Sequence, residues 1–145
     1  MSATNALEGA ILSLIFENAN TGIGIGDATG LRGSSTAGSF NISLHTADPG
    51  ETGSQNTTES AYTNYARVSV ARSTAGWSVA SSVADNDAAI TFPQCGVTGS
   101  TVTNFGVGSD SSGAGNLYFK GASALSVSQN VTPQFAAGAL DVSLD

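Results

Sequence analysis

From residue 39 onward the apolar positions recur with a period of two. Phe40, Ile42 and Leu44 alternate with Asn41, Ser43 and His45; Val68 and Val70 sit in YARVSVAR, Trp77 and Val79 in GWSVA, and Ile90 and Phe92 in AITF. This alternation predicts half-buried strands. More strands are predicted at TVTNFGVG (101–108), NLYFKG (116–121), ALSVSQNVT (124–132) and ALDVSLD (139–145). In the last, Leu140, Val142 and Leu144 point inward and Asp141, Ser143 and Asp145 outward. About eight short strands, separated by turn clusters such as DSSGAGN and without the intervening helices a parallel sheet needs, give a mainly β fold, an antiparallel β-sandwich or barrel.

The first segment has a different period. Leu7, Ile11, Leu14 and Ile15 fall at i, i+4, i+7 and i+8, Leu12 and Phe16 widen the stripe, and Asn5 with Glu8 has the spacing of a capping box. An amphipathic helix over 5–17 is predicted, with an apolar face broad enough to need cover from the sheet or from a neighbouring subunit. Residues 21–38 (TGIGIGDATGLRGSSTAG) then carry six glycines. A dinucleotide fingerprint on Gly24 and Gly26 needs a third glycine where Thr29 stands, and the stretch follows a helix rather than a strand, so a loop or arm is the better reading. The expected organisation is one domain, 1–145, made of an N-terminal helix and Gly-rich arm (1–38) and a β core (39–145).

Charge changes the picture of possible partners. Only 10% of residues are charged, and 11 acids stand against Arg32, Arg67, Arg72 and Lys120, for a net charge of -7. So few cations supply almost no counterion release on nucleic acid and no attraction to anionic membrane, so neither is an expected partner. The apolar run Leu7 to Phe16 is about half the roughly 20 residues of a membrane span, and no basic n-region of a signal peptide precedes it. Assembly in a cytoplasm is expected. One cysteine, Cys95, forms no internal disulfide, and no His/Cys spacing suits zinc; no cofactor is implied.

Candidate chemistry is thin. His45 and Cys95 are formally a Cys-His pair, with Asn104 or Asp85 as orienter, but His45 is expected on the polar side of its strand and Cys95 in a turn. Asp85 and Asp87 flank Asn86 in ADNDAA; a glycosidase pair would need an aromatic-lined cleft, and a turn opening the Ile90 strand is the plainer reading. Arg67 and Arg72 flank a strand, each available to pair with an acid inside the subunit or across an interface. No enzymatic activity is expected. A carbohydrate-binding sandwich would need exposed aromatics among Tyr62, Tyr65, Trp77 and Tyr118, and Trp77 is expected in the core.

LHTADPG (44–50), YARV (65–68), GWSV (76–79), AITFP (89–93), VTNFGVG (102–108) and TPQFAAGALDVS (132–143) together resemble a group of small tailed-bacteriophage virion proteins. The resemblance spans about residues 40 to 143. It implies a structural protein of the virion, labelled in such sequences as tail-fibre or capsid-associated. Of these, a capsid decoration (cement) protein is the expected role, because 145 residues without heptads or a β-helical repeat are short for a fibre shaft. That role implies the major capsid protein as partner, a homotrimer, and the capsid surface as location; a tail-fibre protein that serves host attachment is the alternative. Leu7, Ile11, Leu14, Ile15, Arg32, Arg67 and Arg72 are the candidate subunit-contact residues. The loop 46–64 and the segment 21–38 are expected to be contact arms that order on neighbouring subunits.

Overall fold

Alternation of apolar and polar residues does produce strands here, and in a computed structural model that describes residues 3–23 and 33–144 they form three antiparallel sheets. A four-stranded sheet has the order β2 (Val68–Ala71), β1 (Ser39–His45), β6 (Ser100–Gly108), β7 (Leu117–Val127). A three-stranded sheet joins β3 (Trp77–Ala80), β4 (Val83–Asn86) and β9 (Asp141–Ser143), and β5 (Ile90–Thr91) pairs with β8 (Gln134–Phe135). No barrel closes among the described residues.

Contacts group the chain into two compact units, and the grouping is not linear. One unit comprises residues 1–38, 71–89 and 135–145; the other comprises 39–70 and 90–134. The segments 71–89 and 135–145 thus join the N-terminal segment rather than the β-strands that adjoin them in sequence.

In the first unit, α1 (Asn5–Leu12) runs on into a π-helical turn (Ser13–Glu17) that ends at Asn18, whose φ of 56° lies in the left-handed region favoured by Asn. The helix starts one residue earlier than the capping pattern suggests. Thr4, not Asn5, takes the extended N-cap conformation, and the Leu7 and Glu8 amides donate to its carbonyl. The buried positions are Glu8, Leu12 and Phe16, while Leu7, Ile11, Leu14 and Ile15 lie half-buried. Phe16 meets Trp77 edge-on with ring centroids 4.6 Å apart, and Trp77 is fully buried as its place in the alternation implies.

Helix ends leave carbonyls without partners, and here a side chain supplies them. The Arg72 guanidinium donates from Nη2 to the Leu14 carbonyl at 3.0 Å, from Nε to that of Ile15 and from Nη1 to that of Ala37 at 3.0 Å. Its charge also suits the negative end of the helix dipole. Asn18 and Ser34 then clasp each other: Asn18 Nδ2 donates to the Ser34 carbonyl and the Ser34 amide to Asn18 Oδ1, each at 2.7 Å.

ADND proves to be the end of a strand, not a turn. Asn86, the last residue of β4, is fully buried and uses its whole amide. Nδ2 donates to the carbonyls of Ala88 and Ala136, both at 2.8 Å, while Oδ1 accepts from the amides of Ala139 at 3.1 Å and Leu140 at 2.9 Å. One side chain thereby shapes the turn that delivers Leu140 and Val142 into the core. Replacing Asn86 with Ala leaves four backbone groups to find other partners. Urea unfolding should show a loss on the order of 3 kcal/mol for this variant, and a loss below about 0.5 kcal/mol would contradict the role given to the amide.

In the second unit, β7 is a single strand of 11 residues that absorbs NLYFKG and the first part of ALSVSQNVT. Register shifts at Val102/Asn104 and Val107/Gly108 accommodate its extra residues as bulges. Phe40, Ile42, Leu44, Phe105 and Val107 are buried across β1 and β6, with Ile42 opposite Val107 and Leu44 opposite Phe105.

Candidate functional site

The other face of β1 should meet water if the strand were half-buried. Instead Asn41 is only 7% exposed, and Ser43 and His45 are fully buried. The correction to the expected polar surface has a clear cause: the loop 46–67 folds back over this face. The Ser60 amide donates to the Leu44 carbonyl at 2.7 Å, the Thr46 amide to that of Thr58 at 2.8 Å, and His45 and Glu59 form an antiparallel bridge. Bonds within the chain thus hold the loop against the strand.

Burying a polar face requires partners for every group on it. His45 Nδ1 lies 2.8 Å from the Thr57 carbonyl, which only accepts, so Nδ1 carries the proton. Nε2 of the neutral ring then accepts from the Ser43 hydroxyl at 2.8 Å. Burial is the main cause that holds the His45 pKa below its ordinary 6.5, against the raising effect of the Thr57 bond and the Glu59 charge; Arg67 adds a lowering effect. Gln55, also fully buried, donates from Nε2 to the Asn41 carbonyl at 3.1 Å and accepts at Oε1 from the Asp110 amide at 2.8 Å.

Glu59 fastens the far end of the loop. Its two carboxylate oxygens accept from Nε and Nη2 of Arg67, both at 2.7 Å, in the bidentate arrangement that suits guanidinium. Tyr65 donates its hydroxyl to Glu59 Oε1 at 2.8 Å and accepts from the Leu44 amide at 3.0 Å, linking the ion pair to β1. Burial, with Glu59 adding to it, pushes the Tyr65 phenol upward, so it stays a donor. The remaining Arg67 donors reach the carbonyls of Asp110 at 2.8 Å and Gly113 at 2.6 Å. The Arg67 side chain is 2% exposed and that of Glu59 17%, so the pair is largely shielded from water.

This cover has a cost in backbone strain. Thr58, a β-branched residue, takes φ 55°, which costs roughly 1–2 kcal/mol. Its hydroxyl donates to the Ala47 carbonyl at 2.8 Å, and its carbonyl accepts from both the amide and the hydroxyl of Thr46. At the loop tip Asp48 Oδ1 accepts from the Gly50 amide, which, with the Lys120 ammonium, keeps its carboxyl below the usual range; Lys120 also reaches Glu51 at 2.9 Å.

Glycines make room for the polar layer. Gly106 lies opposite Ser43 in the sheet, and a Cβ there would meet Ser43 Oγ at 2.7 Å, His45 Nε2 at 2.8 Å and Leu117 Cδ1 at 2.5 Å. Gly108, opposite Asn41, is pressed by Gln55 in the same way. A glycine inside a strand often marks such a close approach. VTNFGVG carried that signal in the sequence; Gln55 and Glu59, inside a run of small polar residues, carried none.

A hydroxyl donating to a histidine whose other nitrogen donates onward is also the geometry of an activated nucleophile. Here both groups are sealed from solvent and the final acceptor is a backbone carbonyl, so the arrangement holds the loop. Cys95 is not brought to His45: its thiol, buried, donates to the Thr98 carbonyl at 3.3 Å. Asn104 does lie opposite His45, but Asp85 belongs to the other unit, opposite Asp141 in β4 and β9. Among the candidate contact residues, Arg67 and Arg72 are both engaged inside the chain, and Arg32 lies outside the described residues. Tyr62 is buried and donates to the Pro93 carbonyl, its phenol pushed up to about 12 by burial, which leaves Tyr118 as the exposed member of the aromatic set. Among the described residues no helix is long and apolar enough to cross a membrane.

Two outcomes follow from this packing. Gly106→Ala should lose roughly 1–3 kcal/mol in urea unfolding through the clash with Ser43 and His45; an unchanged midpoint would contradict the close approach. Because the unfolded chain binds a proton at His45 more readily than the folded one, this contribution to stability is fully present above about pH 6.5 and is lost as the pH falls toward the lowered folded value. Unfolding curves at a series of pH values should therefore show a fall in stability below about pH 6.5 that is shallower in His45→Gln. Equal slopes in the two proteins would contradict a neutral buried imidazole.

A family model described as Podophage GP4 fiber I protein gp80 matches residues 28–143, a span that contains every strand and the whole of the loop 46–67. No curated protein matches the chain.

Proposed function

We propose that this chain, which belongs to the Podophage GP4 fiber I protein gp80 family, is a non-enzymatic building block of a phage tail fibre and serves host attachment. That it is a structural protein of a tailed-phage virion follows from the family itself. The observation that carries the fibre reading is the family match over 28–143. It backs the tail-fibre alternative, and it gives no support to decoration of the capsid surface or to the major capsid protein as partner. The chain is short and its sequence carries no shaft repeat, which is why a capsid role is expected from length alone. A fibre also contains compact segments, however, and a β unit with a self-ordered loop suits that place.

The absence of an enzymatic role is supported by the burial of the candidate nucleophiles: Ser43 is fully buried and Cys95 is 1% exposed. The scarcity of cations supports protein or neutral glycan surfaces as targets over nucleic acid or anionic membrane.

Virions disrupted into separate heads and tails provide the test. Gold-labelled antibody and peptide mass spectrometry should find the chain on tail fibres, and the purified protein should compete with phage for adsorption to host cells. Copies found on heads in place of tails would overturn the proposal.

A further inference from the structure

We propose that Tyr118 and the turn 109–116 that precedes it form a binding site for an uncharged pyranose sugar of the host surface. This rests on the host-attachment reading and names its ligand; every residue of the site belongs to the second unit.

The turn, SDSSGAGN, is built of small residues with little apolar surface to hold it in one shape. Buried side chains hold it instead. Arg67 donates to the carbonyls of Asp110 and Gly113, Gln55 Oε1 accepts from the Asp110 amide, and the Gln55 amide donates to the Gly115 carbonyl at 2.9 Å. Ser109 closes the neck: its amide donates to the Asn116 carbonyl at 3.0 Å, and its hydroxyl accepts from the Asn116 amide at 2.9 Å. The bonds that fix the turn thus fall on its backbone. The side chains of Asp110, Ser111, Ser112 and Asn116 are exposed, and none of them makes a hydrogen bond among the described residues. Gly115 settles where the acid lies, because a Cβ there would meet Asp110 Cβ at 2.6 Å and Cγ at 2.9 Å.

Tyr118 adds an aromatic plane to this polar rim. Gly108 pairs with Leu117 and Val107 with Phe119, so Tyr118 is the extra residue of a bulge, a device that re-aims a side chain. Its ring is 51% exposed and meets the buried Phe40 edge-on, with centroids 6.1 Å apart. Phe40 steadies the ring without covering it. A pyranose offers an apolar C–H face and a rim of hydroxyls that both donate and accept; it is met by an aromatic plane beside carboxylate, amide and hydroxyl groups. Fixing these groups before the ligand arrives lowers the ordering cost of binding. The Asp110 carboxylate accepts from hydroxyls and repels acidic sugars, and Lys120, the cation of β7, is drawn to Asp48 and Glu51 at 3.1 and 2.9 Å. An uncharged sugar is therefore selected.

The test uses surface polysaccharide released from the host strain, freed of lipid and immobilised, with the full chain passed over it. The chain should bind, and an excess of the methyl pyranosides of glucose, galactose, mannose and rhamnose together should compete, where glucuronic acid does not. Tyr118→Ala and Asp110→Ala should each weaken binding ~10-fold or more, and Tyr118→Phe should keep most of it. Saturation transfer from aromatic ring protons to the competing pyranoside, read on the unsubstituted chain, checks the contact even if a variant fails to fold. No binding, binding unchanged in Tyr118→Ala, no saturation transfer, or competition by glucuronic acid equal to that of the neutral sugars would each overturn the proposal. Because the assay needs only the isolated chain, sugar binding by a protein found on heads would contradict the fibre reading alone. A chain found on fibres that binds no polysaccharide would contradict this site alone.

Discussion

The buried ion pair between Glu59 and Arg67 is the constraint on which the second unit depends. A guanidinium and a carboxylate taken out of water are costly unless nearly all of their hydrogen-bonding capacity is used. Here Arg67 spends its donors on both Glu59 oxygens and on two carbonyls of the 110–113 turn, and Tyr65 joins Glu59 to the backbone of β1. Once that anchor is set, the twenty-odd residues before it have little freedom. They close over Asn41, Ser43 and His45 and bring Gln55 to fill the space above Gly108. A loop of small polar residues becomes the second wall of the sheet.

The first unit solves its own problem in a parallel way. Arg72, five residues along, supplies donors to the carbonyls at the end of the N-terminal helix, and Asn86 supplies both donors and acceptors to the turn before β9. In a chain with four cations, two flank one short strand, and each is consumed in holding a segment distant in sequence. The scarcity of charge on the surface therefore goes with concentrated use of charge inside, and a largely uncharged exterior is left for contact with other molecules. A virion component that functions through its surface and its rigidity needs that division more than it needs a cleft.

The strands were legible because alternation survives wherever one face packs on a core: Phe40, Ile42 and Leu44, or Trp77 with Val79, could be placed from the sequence. Trp77 in the core was legible for the same reason. The burial of His45 was not, since alternation reports the apolar face and says nothing of a polar face covered from outside. Asn86 hid in ADND because an amide that satisfies four backbone groups looks, in sequence, like any turn residue. Glu59 and Arg67 are eight residues apart across a turn-rich stretch, a separation with no periodic meaning. The glycines of VTNFGVG were the available clue that something comes close to the sheet. On function, the residues that carry the resemblance pointed to a phage virion protein, but preference for the head rested on chain length, which constrains a shaft and not the rest of a fibre.

Hydrogen exchange on the isolated chain tests most directly whether the loop is ordered from within. The amides of Thr46, Gln55 and Ser60 donate to Thr58, Gly115 and Leu44, and the account predicts that they exchange as slowly as those of β1, with the loop and the strand opening together. Rapid exchange at these three positions while β1 stays protected would show a loop that needs a neighbour to order it, and would contradict the account.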